Sequence, residues 1–536
     1  MLAATVDART LRWLTVALVM AMLVVVWSLA VLPCQDLPQH LAYAKILRDY
    51  SDPQLRLAEV YQLAQRFHPY SSLYWVLAVS GRWLGILGAL RVVLTFYVLS
   101  LFAAFHFLVV SVHGQEAPGV PWTRLLAVLL VWNPTLCMGF LQFALCIPLI
   151  LIGCAFVIRA TEPRGGRLDI AGAIATLVVL GSLHVVAAGF LVLWMLLHSV
   201  MNPSRQRWIA WLGALAVLTV VGALWGAGEE IGAAKLSRLD FAGAMRESSG
   251  LEFIDKVFRI TWYDPIVTLN YVLWTLFGPY RLKGQLLVAS AIATCIVLCW
   301  RFAATPAPPT GERACRFRRT TTAFTVVSLL LPWGFYVPTE LTFLNFRGIT
   351  VAFGLLLAAI PPTSVRSKMA RAAVAGLAAV IAGHFAFRAF VFANEVKPIF
   401  SLLQRAQPRG VLLSLSCHNK SSQFARQFRV THFLPMYYTV LDGGINTQFW
   451  ANYVEHLPIG YRHQAPAQPN DWAPETFRRE HLSDSDYLIV EAADPDDSLS
   501  LQNGFRAAQA IIRDAHLEAD ACAGRWCLYR LKKGLN

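Results

Sequence analysis

The sequence predicts an α-helical polytopic membrane protein that carries a small soluble α/β domain at its C-terminal end. Three observations predict it. Apolar runs of the length a bilayer core demands, about 20 residues, recur along most of the chain. Of the 536 residues, 56% are hydrophobic and 15% charged, and the mean hydropathy is +0.50. Those values exclude disordered, collagenous and disulfide-scaffold chains. The formal charge of +14 is also unevenly placed. Residues 394–536 hold 15 Lys+Arg and 15 Asp+Glu, so the apolar part holds the other 31 basic and 17 acidic residues. Basic excess threaded between apolar segments is a product of membrane topology, whereas a nucleic-acid binder gathers it on one soluble face.

The first apolar run, Leu14 to Leu32, follows Arg9 and Arg12. It is long for the core of a signal peptide and lacks a small-x-small site before Cys34, which predicts a retained helix. Further runs begin near Ser71, Arg91, Trp122, Leu168, Val185, Trp208, Leu286, Thr322, Phe343 and Ala372. The stretch from Trp122 to Ile158 exceeds one span and is interrupted by Asn133-Pro134 and Pro148, giving two spans or one span with a re-entrant piece. The clusters Arg159/Arg164/Arg167, Arg205/Arg207, Arg313/Arg316/Arg318/Arg319 and Arg366/Lys368/Arg371 are nearly free of acid and mark cytoplasmic loops. With Arg9 and Arg12 on the same side, the chain makes roughly eleven crossings. The expectation is a multi-spanning domain over residues 1–393 in a bacterial inner membrane, with a cytoplasmic N-terminus, and a periplasmic domain over residues 394–536. Two outer loops, near 34–69 and 227–283, carry both charge signs. Topology does not require that, so they are the expected working face.

Past Asn394, Val411–Leu415 and Asp486–Val490 read as short buried strands and Trp526–Arg530 as an edge or final strand. Glu395–Gln404 and Leu501–His516 have helical spacing. Alternation of the two types gives a small α/β domain. Cys522 and Cys527 flank a short Gly-containing turn and are either a disulfide or two thiols. Cys137, Cys146, Cys154, Cys295 and Cys299 lie in apolar helices as small hydrophobes. No HExxH, P-loop or dinucleotide fingerprint occurs, which removes ATP-driven transport by this chain alone, zinc-protease and dinucleotide chemistry as leading ideas.

The most informative segment follows the first run: Pro33-Cys34-Gln35-Asp36-Leu37-Pro38-Gln39-His40. Asp36 and His40 are four apart, near the start of a helix opened by Pro38. A carboxylate where a span leaves the bilayer can take a proton from a hydroxyl, and a histidine beside it can steer a phosphate or a metal. The plain alternative is that Asp36 caps the helix.

This D-x-P-x-H arrangement, leading into an outer loop, resembles the C-type (GT-C fold) integral-membrane glycosyltransferases, and more narrowly a poorly characterised bacterial polytopic group related to them. Asn133-Pro134 followed by Gly139-Phe140-Leu141-Gln142-Phe143, Ser182-Leu183-His184, Pro332 followed by Arg347, and Asp486-Tyr487-Leu488-Ile489-Val490 agree with it. The resemblance implies a GT-C-like fold and an inverting transfer of a sugar, hexosyl or pentosyl, from a polyprenyl-phosphate donor. The acceptor would be an extracytoplasmic lipid, glycan or protein. Asp36 would be the general base and Arg347, at the outer start of a span, the cation for the departing phosphate. His40, His184 and His68 are further substrate-binding candidates. A divalent ion, Mg2+ or Mn2+, stays an open question, with Asp36 and His40 its ligands if one binds. Glu229, Glu230, Arg238, Asp240 and Arg246 of the second outer loop fit headgroup contacts or a solvated helix equally.

Two other classes compete. A non-catalytic subunit or scaffold of envelope polysaccharide assembly would need Asp36 only as a cap. A lipid or solute transporter would place several ionisable groups at mid-membrane, where this sequence offers mainly His184, with His106 and His384.

Overall fold

The structure is a computed structural model. It describes residues 2–64, 69–115, 117, 119–162, 166–202, 261–262, 264–301, 311–334, 342–365, 367–425, 428–452, 457–463 and 465–531. Its principal helices, in chain order, are α1 (Leu2–Ser28), α2 (Leu37–Asp49), α3 (Ser72–His113), α4 (Pro134–Met138), α5 (Leu141–Ala160), α6 (Arg167–Leu183) and α7 (Val185–Met201). They continue with α8 (Pro265–Phe277), α9 (Leu282–Arg301), α10 (Glu312–Leu330), α11 (Leu344–Ala358), α12 (Lys368–Leu403) and α13 (Leu499–Asp514). The strands are β1 (Tyr61–Leu63), β2 (Val411–Ser416), β3 (Ile445–Asn446), β4 (Ile459–Tyr461), β5 (Tyr487–Glu491), β6 (Ala519–Ala523) and β7 (Trp526–Arg530).

Among the described residues, five helices are long and apolar enough to cross a membrane, namely α1 from Arg9, α3, α5, α9 and α12. Their surfaces agree. Trp13 and Met20 on α1, Trp83 and Phe96 on α3, and Trp300 on α9 face outward. Large apolar side chains in such numbers make an aggregating surface in water and an ordinary one in lipid. The run starting at Ser71 and that starting at Arg91 are one element, α3, whose break falls at Gly85 (φ 68°, ψ 160°). Arg91 is helical, so a charge did not mark the boundary; the residue free to take a positive φ did. The Trp122–Ile158 stretch breaks at Trp132-Asn133 and at Gly139-Phe140, while Pro148 sits inside α5. The expected span near Trp208 lies outside the described residues.

The chain divides into two compact units. The first holds Met1–Val24, Thr95–Leu136 and Phe140–Ala386; the second holds Val25–Leu94, Cys137–Gly139 and Phe387–Asn536. The composition shift at Asn394 is therefore not where the units divide. Helix α12 runs through it and through Pro398 to Leu403, so Glu395–Gln404 is the end of a long helix rather than an element of its own.

In the first unit, α5 packs on α6 and α7, and α10 on α7 and α11. Small residues set the closeness: a Cβ on Gly153 would stand 2.5 Å from Leu191, and one on Gly172 2.7 Å from Phe156. Such residues let helices approach where no hydrophobic effect drives them together. Glu162 receives Arg313 and Arg316 at 2.8 Å each, and Arg159 reaches Asp169 at 2.8 Å. Two of the basic clusters are thereby tied to one end of the unit.

The second unit contains a five-stranded sheet of order β3-β2-β5-β7-β6. Strand β2 pairs in parallel with β3 and β5, and β7 antiparallel with β5 and β6. Strand β7 is thus final in sequence but interior, with β6 at the edge. Leu413, Leu415, Leu488 and Val490 pack with Ala508 and Ile512 of α13. Cys522 and Cys527 form a disulfide across the β6–β7 hairpin. A separate ladder joins the segment after α2 to the C-terminal part of the unit: β1 pairs antiparallel with β4, Tyr61 opposite Tyr461.

Candidate functional site

Asp36 stands at the N-cap position of α2 with φ −92° and ψ −1°, and its side chain makes no capping bond. A capping aspartate takes extended backbone angles and accepts from the first-turn amides; this one does neither. Its carboxylate Oδ1 instead accepts from Gln35 Nε2 at 3.2 Å. Asp36 is 6% exposed, and the chain passes very near it at Gly139. A Cβ there would lie 2.5 Å from both the Cβ and the backbone nitrogen of Asp36, and Gly139 has φ +98°. Only glycine satisfies both conditions.

His40, one turn further along α2, is buried. Its Nε2 is 2.7 Å from the carbonyl oxygen of Gly139 and its Nδ1 2.9 Å from the Tyr74 hydroxyl. A carbonyl only accepts, so Nε2 carries the proton and Nδ1 accepts from Tyr74. Burial pulls the imidazole down to about 4, leaving it neutral at physiological pH. Both nitrogens are engaged, which fits a group that fixes the Gly139 turn. It does not fit a divalent-ion ligand or a phosphate cation. Among the described residues, three ligand atoms of metal-binding type come together only at His418, Asp494 and Asp497. There the Lys420 ammonium bonds Asp497 and already supplies the positive charge. The residues at Asp36 do not fit a metal centre.

The soluble end walls the same segment. Gln35 Oε1 accepts from the backbone nitrogen of Arg429 at 2.9 Å. Gln39 donates to the Gln448 carbonyl at 2.7 Å and accepts from Trp450 at 3.3 Å. His40 meets Trp450 edge-on at 6.1 Å, and Tyr43 packs against Phe449 at 4.4 Å. Gln448 in turn bonds the Asp471 carboxyl, whose burial pushes it up to about 7.

Arg347 and His184 belong to the first unit. The Arg347 guanidinium lies 4.3 Å over the Phe140 ring and 5.6 Å from Phe143, and Phe143 meets His184 edge-on at 5.5 Å. His184 was expected within a helical run. It is the junction between α6 and α7, extended at φ −159°, and its Nδ1 accepts from Ala187 at the α7 N-terminus. Its depth in the chain is explained by a cap. A shallow, mainly apolar cleft with room of about 30 Å3 in this unit is lined by Met22, Trp132, Trp274, Phe277 and Phe385.

Neither family models nor curated sequences match the chain, but solved structures do. ArnT from Cupriavidus metallidurans bound to undecaprenyl phosphate superposes with a TM-score of 0.52 at 11% identity, covering 98% of this chain and 98% of that one. Its apo state gives 0.52 and 11% over 99% of each chain. The chain has the GT-C fold. Arabinofuranosyltransferase AftD from Mycobacteria, at TM-score 0.47, 13% identity, 97% of this chain and 40% of that one, adds no argument. Within the GT-C fold, the segment the sequence singled out is thus a buried, braced corner rather than a helix cap. His68 and the five charged residues of the second outer loop fall outside the described residues. Sequence reasoning missed Tyr74 as the partner of His40, and Arg429, Gln448 and Asp471 as residues linked to this segment through Gln35 and Gln39. No motif marks them, because the bonds that tie them to this segment span 34 to 409 positions.

Proposed function

We propose that the protein is a membrane glycosyltransferase that moves a sugar from a polyprenyl-phosphate donor to an acceptor hydroxyl with inversion, Asp36 acting as general base. One observation carries the reading. Asp36 occupies a capping position without capping, in a corner whose glycine, glutamine and histidine are all committed to holding it.

In the transfer, the acceptor O–H proton passes to the Asp36 carboxylate as the oxygen attacks the anomeric carbon. The bond from that carbon to the phosphate oxygen breaks, and the lipid phosphate leaves with the electron pair. His40 and Gln35 are positioning residues, since they touch Asp36 or its turn. Arg347 is the proposed phosphate cation of the first unit, its guanidinium plane set by Phe140. ArnT, of the same fold, was solved with undecaprenyl phosphate, which supports a polyprenyl donor.

The test is transfer in vitro from a defined polyprenyl-phosphate sugar by wild type and Asp36→Asn at matched protein level and thermal stability. Near-wild-type turnover by the variant overturns the assignment and favours a scaffold in envelope assembly.

A further inference from the structure

Two glutamine bridges tie a patch of the soluble end to the Asp36 segment. Gln35 reaches both Asp36 and the backbone of Arg429. Gln39 reaches the Gln448 carbonyl, and the Gln448 side chain reaches Asp471. Between these anchors the Arg429 guanidinium lies 4.7 Å over the Trp472 ring, and Trp472 is 49% exposed.

Arg429 is a part-buried cation of this unit with no carboxylate partner among the described residues. Lys45, Arg48, Lys420 and Arg525 each reach a carboxylate. The Arg429 Nη1 is shielded from solvent without a hydrogen-bond partner. Burial holds its pKa below the ordinary guanidinium value. His432, packed on Trp472 at 4.8 Å, is neutral, because burial and the Arg429 charge push it down to about 3. A desolvated cation without an anion is costly to keep, and an indole beneath it offsets only part of that cost.

We infer that Arg429 and Trp472 form the acceptor subsite of the Asp36 centre and bind a saccharide bearing an anionic group. The inference rests on the transferase reading and names the acceptor class for it. The exposed part of the indole offers apolar contact to sugar C–H groups, and the guanidinium selects phosphate or carboxylate. The patch belongs to the soluble domain, where a water-side acceptor arrives, and Gln35 couples it to the base that must meet the acceptor hydroxyl. The same anionic chemistry is found on the lipid phosphate of the donor, so the experiment separates the two sources.

Saturation-transfer NMR on the full-length protein in detergent would use glucose 6-phosphate, glucuronate and glucose as soluble probes, and a polyprenyl phosphate as lipid probe. Wild type should bind the two anionic sugars and bind glucose far more weakly. Arg429→Gln should weaken the anionic sugars about ten- to a hundredfold and leave the polyprenyl phosphate unchanged. Loss of the lipid probe alone, or of none, overturns the inference. A second measurement needs no variant: phenylglyoxal modification of Arg429, followed by mass spectrometry, should slow in glucose 6-phosphate and not in glucose, and equal rates overturn the inference. Asp36→Asn should bind all probes as wild type does, so failure of this subsite and failure of the general base read out separately.

Discussion

Asp497 accepts from His418 Nδ1 at 2.7 Å, from the Lys420 ammonium, and from the backbone nitrogen of Asp494 at 2.8 Å. Asp36, buried in the same unit, receives the Gln35 amide at 3.2 Å. The first carboxylate is compensated by an ammonium, an imidazole nitrogen and the backbone, as expected of a group whose task is to hold its surroundings. The second stands where it has backbone amides to cap and leaves them unused. Burial alone therefore does not distinguish a structural acid from a chemical one. What separates them here is what each does with its place in the fold: Asp497 anchors two side chains and a loop amide, whereas Asp36 sits at a helix start without capping it.

The comparison can be broken from its strongest side first. Asp36→Asn should cut sugar transfer by about a hundred- to ten-thousandfold, the usual worth of a general base, and leave the thermal midpoint nearly unchanged. Asp497→Ala should do the reverse. It strands Lys420 and His418 in a buried site, and removing one partner of such a pair costs about 3–5 kcal/mol. Chemical denaturation should show that loss, while kcat per folded molecule stays at the wild-type level. If Asp497→Ala instead lost kcat at unchanged stability, the contrast between the two acids would collapse.

A smaller effect is expected at the β6–β7 hairpin. The Cys522–Cys527 disulfide closes a short loop, and chain-entropy arguments give it about 2 kcal/mol. Cys522→Ser with Cys527→Ser should lower stability by that amount and leave transfer intact, which denaturant titration and the transfer assay together would check.

The smallest effects are those of pH, and here His40 and Asp471 act in opposite directions. His40 is held at about 4 against 6.5 when unfolded, so the unfolded chain binds the extra proton between those values. Its contribution is present above pH 6.5 and is lost as pH falls toward 4. Asp471 is raised to about 7 from 3.8, so the folded chain binds the extra proton. Its contribution is present below pH 3.8 and is lost as pH rises through 7. Stability measured from pH 4 to 7.5 should gain slope of one sign in His40→Gln and of the other in Asp471→Asn. Equal slopes in both variants would show that these two groups do not set the window.

Much of the fold was legible. Leu14–Leu32 and Ala372 onward read as membrane helices because apolar composition over about 20 residues is a local property. Strands β2 and β5 read correctly for the same reason, as short apolar β-branched or leucine-rich runs bounded by polar turns. The errors fell where local signals compete. Pro148 reads as punctuation yet sits within a helix, and Gly85 and Gly139, silent in the apolar pattern, mark the breaks. Within lipid-facing or packed helices, neighbouring groups satisfy what a proline leaves open, so the residue that allows a positive φ decides where the chain turns.

The sequence by itself determined that the chain is a polytopic membrane protein with a soluble α/β end, and that Asp36 merits suspicion. Spans, charge asymmetry and a carboxylate beside a proline are all readable within a window of a few residues. Only the tertiary structure decided that Asp36 does not cap its helix, that His40 is consumed by Gly139 and Tyr74, and that the first outer loop and the C-terminal domain belong to one compact unit. Tyr61 pairs with Tyr461, and Gln35 meets Arg429, across separations of 400 and 394 positions. Hydrogen bonds at that range depend on how the backbone is folded between them, and no local preference of either residue encodes it.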